Sequence, residues 1–419
     1  MIRVGLQRFL LVCSACLLTT LVLEISIRVM GETDADGQFK LRSYVLPPYV
    51  LPLSKLRAEV DKYLNNRDRA TLIPDPLTGW TYRPNSLRDD GGFTINSASM
   101  RSLHEFTLRP EEDTLRIALF GDSFVAGAEV KDDEVWSHHL ERLLIKAGAN
   151  AEVLNFGVGG YGMGQAFLRW KHEGKGFRPD IVIFVFQAEN LDRNVNVFRL
   201  LHQGGVVYSK PRFIIDEGSL ALINSPALPP EEITSVFEEF DSHPLAAYEA
   251  HYLGRDELSP LLYVSRLAGL VHAVLNRYFP ASSPSQLYGP ASERGALGKA
   301  IVDAFATDVA ATDTEFIVLH LPRDDHFRAY HEGKRAPWRF LFDHFQEAYH
   351  FINAEDFLGV KYTDKSYYQP GRHYGPEINL RIAEAVADEI IQCIKSGACR
   401  LSRFDDFSTF ATAEANTDS

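Results

Sequence analysis

A short apolar run that stops at a glycine, with a serine two residues later, constrains this chain more than any other segment. Residues 115–120 predict a buried strand, and Gly121 permits a sharp turn that bulkier residues would strain. Ser123 then falls at the carboxyl end of the strand, where open α/β sheets bind their ligands. Backbone N–H groups at the start of the next segment are free to face a developing negative charge.

Strands and helices alternate along much of the chain. This alternation predicts an α/β fold built on a parallel, doubly wound sheet. Further strands are expected at 152–156, 181–186, 316–321 and 357–362, with helices at 134–146 and 376–393.

Size and charge limit the class of protein. A chain of 419 residues that is 45% hydrophobic can build a full core, so global disorder is excluded. The formal net charge of −13 argues against a nucleic-acid partner, because neutralising phosphates requires clustered Lys and Arg. The length suits one large domain with decorations, or two domains.

The N-terminus has the pattern of a targeting segment. Arg3 and Arg8 precede an apolar run over 9–23, and apolar residues continue to Met30. No good small-x-small cleavage site follows the run, which favours an uncleaved, single-pass signal anchor over residues 1–30. The basic residues then stay in the cytoplasm and the remainder faces the other side of the membrane. Secretion after cleavage is the alternative.

The rest of the chain divides into four predicted parts. Residues 31–113 form a connector and an N-terminal strand extension, and 114–400 form the main domain. A segment at about 200–312 is too long for a loop, so it is interpreted as an insertion or cap. Residues 401–419 are polar and small, which predicts a disordered tail.

Two cysteines near the C-terminus form a candidate disulfide. Cys393 and Cys399 would pin the end of the last helix in an exported protein, and two free thiols are the alternative. Cys13 and Cys16 lie in the apolar run and are interpreted as small hydrophobic residues. No Cys or His spacing indicates a metal site.

Three more motifs follow the first in order. A glycine-rich run with Gly159, Gly160 and Tyr161 comes after the second strand, and a polar segment with Asn190 comes after the third. His373 lies just before the last helix. The glycine-rich run lacks the Gly-Lys-Ser/Thr of a phosphate-binding loop and follows the wrong strand for one.

Together with Gly121-Asp122-Ser123, these motifs resemble those of the SGNH/GDSL hydrolases, in a bacterial, membrane-anchored, envelope-associated branch. The resemblance implies a flavodoxin-like sheet, no cofactor and a location at the bacterial inner membrane, facing the periplasm. It also implies that Ser123 is the nucleophile and His373 the general base. The Ser123 N–H, the Gly160 N–H and the Asn190 side chain would form the oxyanion hole.

Two of these assignments have an alternative residue, and the chain also departs from the family pattern. Gly159 is an alternative to Gly160, and Asn194 is an alternative to Asn190. Either asparagine could instead cap a helix. The largest departure is Pro370, which stands where the family has the aspartate that orients the histidine. Candidate orienting acids are then Asp364, Asp325 and Asp356, and a Ser-His dyad without an acid is a further option.

The expected function is ester chemistry on carbohydrates of the cell envelope or outside the cell. Water as acceptor would make the protein an esterase, and a sugar hydroxyl would make it an O-acyltransferase or O-acetyltransferase. The partner is then a small-molecule or carbohydrate ester, with the membrane contacted through the N-terminal helix. A fold that binds or assembles glycans with little turnover is the alternative. Trp80 and nearby aromatic residues are interpreted as packing residues rather than a sugar site.

Overall fold

The computed structural model describes residues 2–88, 92–202, 206–252 and 258–399. Two compact units are present in this part of the chain. The first, here called the N-terminal unit, comprises residues 1–65, 200–207 and 230–283. The second, here called the sheet unit, comprises 66–199, 208–229 and the residues from Pro284 onward. The predicted tail at 401–419 lies outside the described residues.

The strands are β1 (Glu32–Thr33), β2 (Phe39–Leu41), β3 (Tyr44–Val45), β4 (Leu72–Asp75), β5 (Gly79–Tyr82), β6 (Ser86–Leu87), β7 (Thr94–Ile95), β8 (Thr114–Phe120), β9 (Asn150–Asn155), β10 (Ile181–Phe186), β11 (Arg212–Asp216), β12 (Ser219–Ile223), β13 (Glu315–His320) and β14 (His350–Asn353). The α-helices are α1 (Ile2–Met30), α2 (Leu53–Asn66), α3 (Ser123–Ala126), α4 (Trp136–Lys146), α5 (Met163–His172), α6 (Asn190–Asn194), α7 (Arg199–His202), α8 (Pro230–Glu238), α9 (Pro260–Val264), α10 (Arg266–Tyr278), α11 (Pro284–Tyr288), α12 (Glu293–Ala310), α13 (Asp324–His331), α14 (Arg339–Ala348), α15 (Ala354–Phe357) and α16 (Pro376–Ser396).

Five strands of the sheet unit form one parallel sheet in the order β14-β13-β10-β8-β9. Counted along the chain, this is the flavodoxin-like order 2-1-3-4-5. The predicted doubly wound fold is therefore confirmed. Parallel strands all end at one edge, so the segments that follow β8, β9 and β10 meet there.

The prediction of a fifth strand at 357–362 is wrong. The fifth strand is β14, and residues 357–362 instead contain the end of α15 and a 3-10 turn. Leu358 and Tyr362 from this stretch are buried against the core, which explains the apolar pattern. The β14 segment has a polar residue at each end, so its sequence gives a weak strand signal.

Helices cover both faces of the sheet, which explains why β10 is apolar throughout. On one face, Leu140 and Leu144 of α4 pack with Ile382 and Val386 of α16. On the other face, Phe305 of α12 stacks among aromatic residues from α5 and the strands. Full burial of each large apolar side chain contributes about 1.5–3 kcal/mol. The segment predicted as an insertion thus includes α12, a helix that packs on the sheet.

The N-terminal unit is built around α1 and the short sheet β1-β2-β3. Residues 4–30 of α1 are long and apolar enough to cross a membrane, by length and composition. The last turns of α1 contribute Ile27 to a small core with Phe39 and Leu46. In the sheet unit, a disulfide joins Cys393 in the last turn of α16 to Cys399 just beyond the helix.

Candidate active site

Ser123 is the first residue of α3, which follows the inner strand β8 after a two-residue turn. Asp122 caps this helix, because its carboxylate accepts a hydrogen bond from the Phe124 N–H at 2.9 Å. Gly121 has no space for a side chain, since a Cβ there would come within 2.6 Å of Val125. The local sequence therefore fixes the serine at the carboxyl edge of the sheet.

His373 is hydrogen-bonded to this serine. Its Nε2 lies 2.7 Å from the Ser123 Oγ, although the two residues are far apart in the sequence. His373 lies in the short segment before α16, and the neighbouring Tyr374 anchors that segment by donating a hydrogen bond to the Pro322 carbonyl. The imidazole also packs against the Phe124 ring, with ring centroids 5.2 Å apart. This is the geometry of a hydroxyl paired with a base that can remove its proton.

Glu129 is the carboxylate that faces the other ring nitrogen. Its Oε1 lies 3.2 Å from His373 Nδ1, within ion-pair distance but without hydrogen-bond alignment. Gly371 makes room for this contact. It adopts φ 78°, and a Cβ there would lie 2.8 Å from the Glu129 oxygen. The glycine thus provides both the backbone conformation and the space that the pair requires.

Asp364, the predicted orienting acid, has a hydrogen-bond partner other than His373. Asp364 is exposed and accepts a hydrogen bond from the Ser366 N–H, so it caps a turn. Asp325 pairs with Arg323 and Arg372, and Asp356 lies in α15. The sequence did not identify Glu129, because the family pattern places the orienting acid shortly before the histidine. A signal was present, since this acid follows the serine by six residues in the same loop region.

The glycine-rich run after β9 is held by two aromatic residues. Trp80 Nε1 donates to the Gly159 carbonyl at 3.0 Å, and the Gly159 N–H donates to the Tyr82 hydroxyl at 3.1 Å. Both rings are buried, as expected of packing residues. Because both polar groups of Gly159 are engaged, the orientation of the next residue, Gly160, is set. Gly160 has φ 82°, a conformation that favours glycine.

Two backbone donors remain available at this edge. Among the described residues, no acceptor pairs with the N–H of Ser123 or with that of Gly160. The two segments are in contact, because a Cβ on Gly157 would meet the backbone of Ala126 at 2.5 Å. Unpaired N–H groups beside a nucleophile can receive the negative oxygen of a tetrahedral intermediate.

Arg193 joins the first three motifs through one nitrogen. Its Nη1 lies 2.8 Å from Asp122 Oδ2, 2.9 Å from the Tyr161 carbonyl and 2.8 Å from Asn190 Oδ1. Arg193 and Asp122 are both buried, so each relies on the other for charge compensation. Sequence analysis did not single out Arg193, since its partners come from separate strand ends.

Asn190 is oriented by this arginine. Because its Oδ1 accepts from Arg193, the Nδ2 amide points the other way, and no described residue accepts from it. The alternative, Asn194, lies within hydrogen-bond distance of Met163 and the Gly164 N–H, so it has a structural role. The geometry therefore favours Asn190 as the amide donor.

A second buried cation lies beside the glycine-rich run. Arg199 Nε is 3.3 Å from where a Cβ of Gly160 would stand. Burial, reinforced by the nearby charge of Arg193, lowers the pKa of Arg199 to about 9. Its positive charge, like that of Arg193, favours negative charge developing at this edge.

One cluster in the described part of the chain has the composition of a metal site, and it lies away from Ser123. His350 Nδ1 is 3.6 Å from the Cys393 sulfur, with Cys399 adjacent. The two sulfurs are bonded to each other, which leaves no thiolate to act as a ligand. The Ser123 and His373 pair needs no metal for acyl transfer.

Comparison with known proteins gives structural likenesses at low identity. No family model matches the sequence, and no curated protein matches it significantly. Solved structures that resemble the chain include TesA, with 12% identity over 65% of this chain and 95% of that one, at a TM-score of 0.34. A G-D-S-L family protein from Desulfitobacterium hafniense DCB-2 has 10% identity over 65% and 98%, at 0.33. The esterase EstA from Pseudoalteromonas sp. has 10% identity over 68% and 98%, at 0.32. Likenesses at these TM-scores carry no inference about the site, and its chemistry is derived from the contacts described above.

Proposed function

We propose that this protein is a serine-dependent ester hydrolase, and the observation that carries the proposal is the 2.7 Å contact between Ser123 Oγ and His373 Nε2. A serine hydroxyl is a weak nucleophile at neutral pH unless a base removes its proton. The contact lies at the carboxyl edge of the sheet, beside two unpaired backbone N–H groups and one available amide. Nucleophile, base and oxyanion donors are the set that acyl transfer requires.

The reaction proceeds in two halves. Ser123 Oγ attacks the ester carbonyl while its proton passes to His373 Nε2, and the oxyanion is held by the Ser123 N–H, the Gly160 N–H and Asn190 Nδ2. His373 then gives its proton to the departing alcohol, which leaves an acyl-serine. A water molecule loses a proton to His373 and attacks the acyl carbon. Collapse of the second intermediate returns the proton to Ser123 and releases the acid.

Glu129 supports this cycle through the histidine. A carboxylate beside Nδ1 favours the tautomer with a proton on that nitrogen, which leaves Nε2 free to accept the serine proton. It also stabilises the imidazolium that forms at each transfer. The third member of the triad is therefore a glutamate that follows the nucleophile, in place of the aspartate that usually precedes the histidine.

A cavity in the same unit supports a carbohydrate ester as the substrate. It has a volume of about 420 Å³ and is lined by residues that include His326, Tyr330, Trp338 and Arg339. These residues lie in α13 and at the start of α14, in the segment that follows the carboxyl end of β13. Aromatic rings offer flat apolar surfaces on which sugar rings pack.

If a sugar hydroxyl took the place of water in the second half of the reaction, Ser123 and His373 would transfer the acyl group to the sugar.

We place the protein at a bacterial inner membrane, anchored by α1, with the sheet unit on the periplasmic side. The length and apolar composition of α1 support an anchor. Basic residues before the apolar run set this orientation. We also propose the domain boundaries predicted from the sequence and the catalytic roles described above for the site residues.

A fluorophosphonate probe tests the nucleophile. The wild-type protein should be labelled, whereas Ser123→Ala should not be. Ser235→Ala is a matched control, because Ser235 is an exposed serine on α8 and should leave labelling unchanged. No labelling of folded wild-type protein would favour the alternative of a glycan-binding protein without turnover.

A second assay separates hydrolysis from transfer. Acetate release from p-nitrophenyl acetate is followed with and without an oligosaccharide acceptor, and the acceptor is then weighed by mass spectrometry. A hydrolase releases acetate and leaves the acceptor mass unchanged. Acylated acceptor would instead identify a transferase.

A further inference from the structure

Helices α9 and α10 of the N-terminal unit expose an unusual number of large apolar side chains. Seven of them are between 49% and 74% exposed, namely Leu261, Tyr263, Val264, Val271, Leu275, Tyr278 and Phe279. A contiguous exposed apolar surface on a protein usually marks a place where something binds. We call these seven residues the α9–α10 face.

The exposed apolar residues of α10 lie on one side of the helix. Val271, Leu275 and Tyr278 are spaced by four and three residues, which aligns them along one stripe. Other apolar residues of the helix, Leu267 and Leu270, pack against the small core of the N-terminal unit. The helix thus has two apolar surfaces, and only one of them is covered by described residues.

The last turns of α1 fix the position of this helix. The Glu24 carboxylate accepts hydrogen bonds from the Ser265 hydroxyl and from the Arg266 and Leu267 N–H groups, at 2.8–2.9 Å. Arg28, which is paired with Glu24 at 2.7 Å, also donates to the Val264 carbonyl at 2.7 Å. The start of α10 therefore lies beside residues 24–28 of α1.

Both helices expose apolar side chains. Near the contact with α10, α1 exposes Ile25, Val29 and Met30. Glu24 and Arg28 pair with each other and with backbone groups at the start of α10. A paired acid and base near the end of an apolar helix is typical of the membrane–water boundary. The α9–α10 face consequently begins at the depth where α1 leaves the membrane.

We infer that the α9–α10 face lies in the surface of the lipid bilayer that α1 crosses, as an interfacial helix beside the anchor. The inference rests on the proposal that α1 is a membrane anchor. Composition favours lipid as the occupant, because residues 260–279 contain tyrosines, two arginines and no acidic residue. Tyrosine and arginine suit the headgroup level, and such a helix buries its apolar side about 5–10 Å below it.

Site-specific fluorescence quenching of the full-length chain in lipid nanodiscs tests this inference. Cys13 and Cys16 are the free cysteines in the described part of the chain, so Cys13→Ser with Cys16→Ser provides a background for single labels. Val271→Cys and Leu275→Cys report on the face. Lys55→Cys, on an exposed position of α2, is the matched control. Cys16 itself, in Cys13→Ser protein, reports on α1.

We expect brominated lipid to quench labels at 271, 275 and Cys16 several-fold more than the label at 55, and aqueous iodide to show the opposite order. Iodide quenching at 271 equal to that at 55, with Cys16 still quenched by lipid, would overturn the inference while leaving the anchor intact. Protection of 271 from both quenchers would point to a protein contact and also overturn it. Absence of lipid quenching at Cys16 would remove the anchor and the inference together.

Discussion

The two sides of the candidate active site are built differently. The oxyanion side is formed by the Ser123 turn, the glycine-rich run and Asn190. Ser123 and Asn190 are buried and Gly159 and Gly160 are partly exposed, and the side is held by Arg193, Trp80 and Tyr82. The base side, formed by His373 and Glu129, lies on loops, and these two side chains are 20% and 31% exposed. The oxyanion donors are fixed by hydrogen bonds from several elements, whereas Glu129 reaches the imidazole of His373 through one contact at 3.2 Å that lacks hydrogen-bond alignment.

This difference assigns separate tasks to the two sides. Donors that stabilise charge in a transition state are effective when they need no reorganisation, which a buried network provides. A base must change its charge and its hydrogen bonds during each cycle, so a less constrained position suits it. We therefore expect removal of an oxyanion donor to lower kcat more than removal of the orienting acid does. Only removal of the base itself should lower kcat further.

Replacement of the base should have the largest effect. His373→Ala removes the only group within hydrogen-bond distance of Ser123 Oγ among the described side chains. We expect kcat/KM for p-nitrophenyl acetate to fall by about 10⁴-fold or more, with the unfolding midpoint nearly unchanged because the imidazole is partly exposed. A loss of less than tenfold would show that another group removes the serine proton.

Loss of the amide donor should come next. Asn190→Ala removes one oxyanion donor and should lower kcat by about 10²–10³-fold, with little change in KM. Steady-state kinetics measures kcat and KM separately. Asn194→Ala is the matched control on the same helix and should reduce kcat far less, since Asn194 contacts Met163 and the Gly164 N–H. Equal losses for the two variants would contradict the assignment.

Removal of the orienting charge should have a smaller effect. Glu129→Gln keeps the shape and removes the charge, and we expect kcat to fall by about 10–10²-fold, because a partly exposed and poorly aligned carboxylate contributes less than a buried one. Glu129→Asp should recover part of the loss. Asp364→Asn should have no effect on kcat. A large loss in Asp364→Asn with none in Glu129→Gln would reverse the roles.

The smallest fall in kcat is expected when a hydrogen bond that holds the glycine-rich run is removed. Tyr82→Phe leaves the Gly159 N–H without its acceptor and should cost about 1–3 kcal/mol of unfolding free energy. We expect kcat to fall by roughly tenfold or less, because Trp80 still holds the Gly159 carbonyl. Denaturant unfolding and kinetics on the same sample check both values. An unchanged stability would show that water replaces the hydroxyl.

Much of the fold could be predicted because each strong signal is local. The apolar runs of β8 and β10 identify buried strands, and the turn at Gly121 places Ser123 at their edge. His373 could be selected by its position before α16. The roles of these residues in catalysis stay predictions.

The remainder depends on contacts that sequence spacing does not encode. Glu129 reaches His373 because Gly371 adopts a positive φ, which brings two distant loops together. Arg193 is important through three partners on separate elements. The fifth strand was missed because β14 is four residues long and polar at both ends. In each case tertiary contacts, rather than local pattern, decide the outcome.

The most direct test of the central claim is detection of the acyl-serine. Stopped-flow hydrolysis of p-nitrophenyl acetate, with quenched samples digested for mass spectrometry, measures both the burst and the modified residue. We expect the wild-type protein to give a burst of nitrophenol and an acetyl group on the peptide that contains Ser123. Both should be absent in His373→Ala. Hydrolysis with no acetylated Ser123 at any time point would contradict the proposal. Acetylation of Ser123 that survives in His373→Ala would contradict it as well.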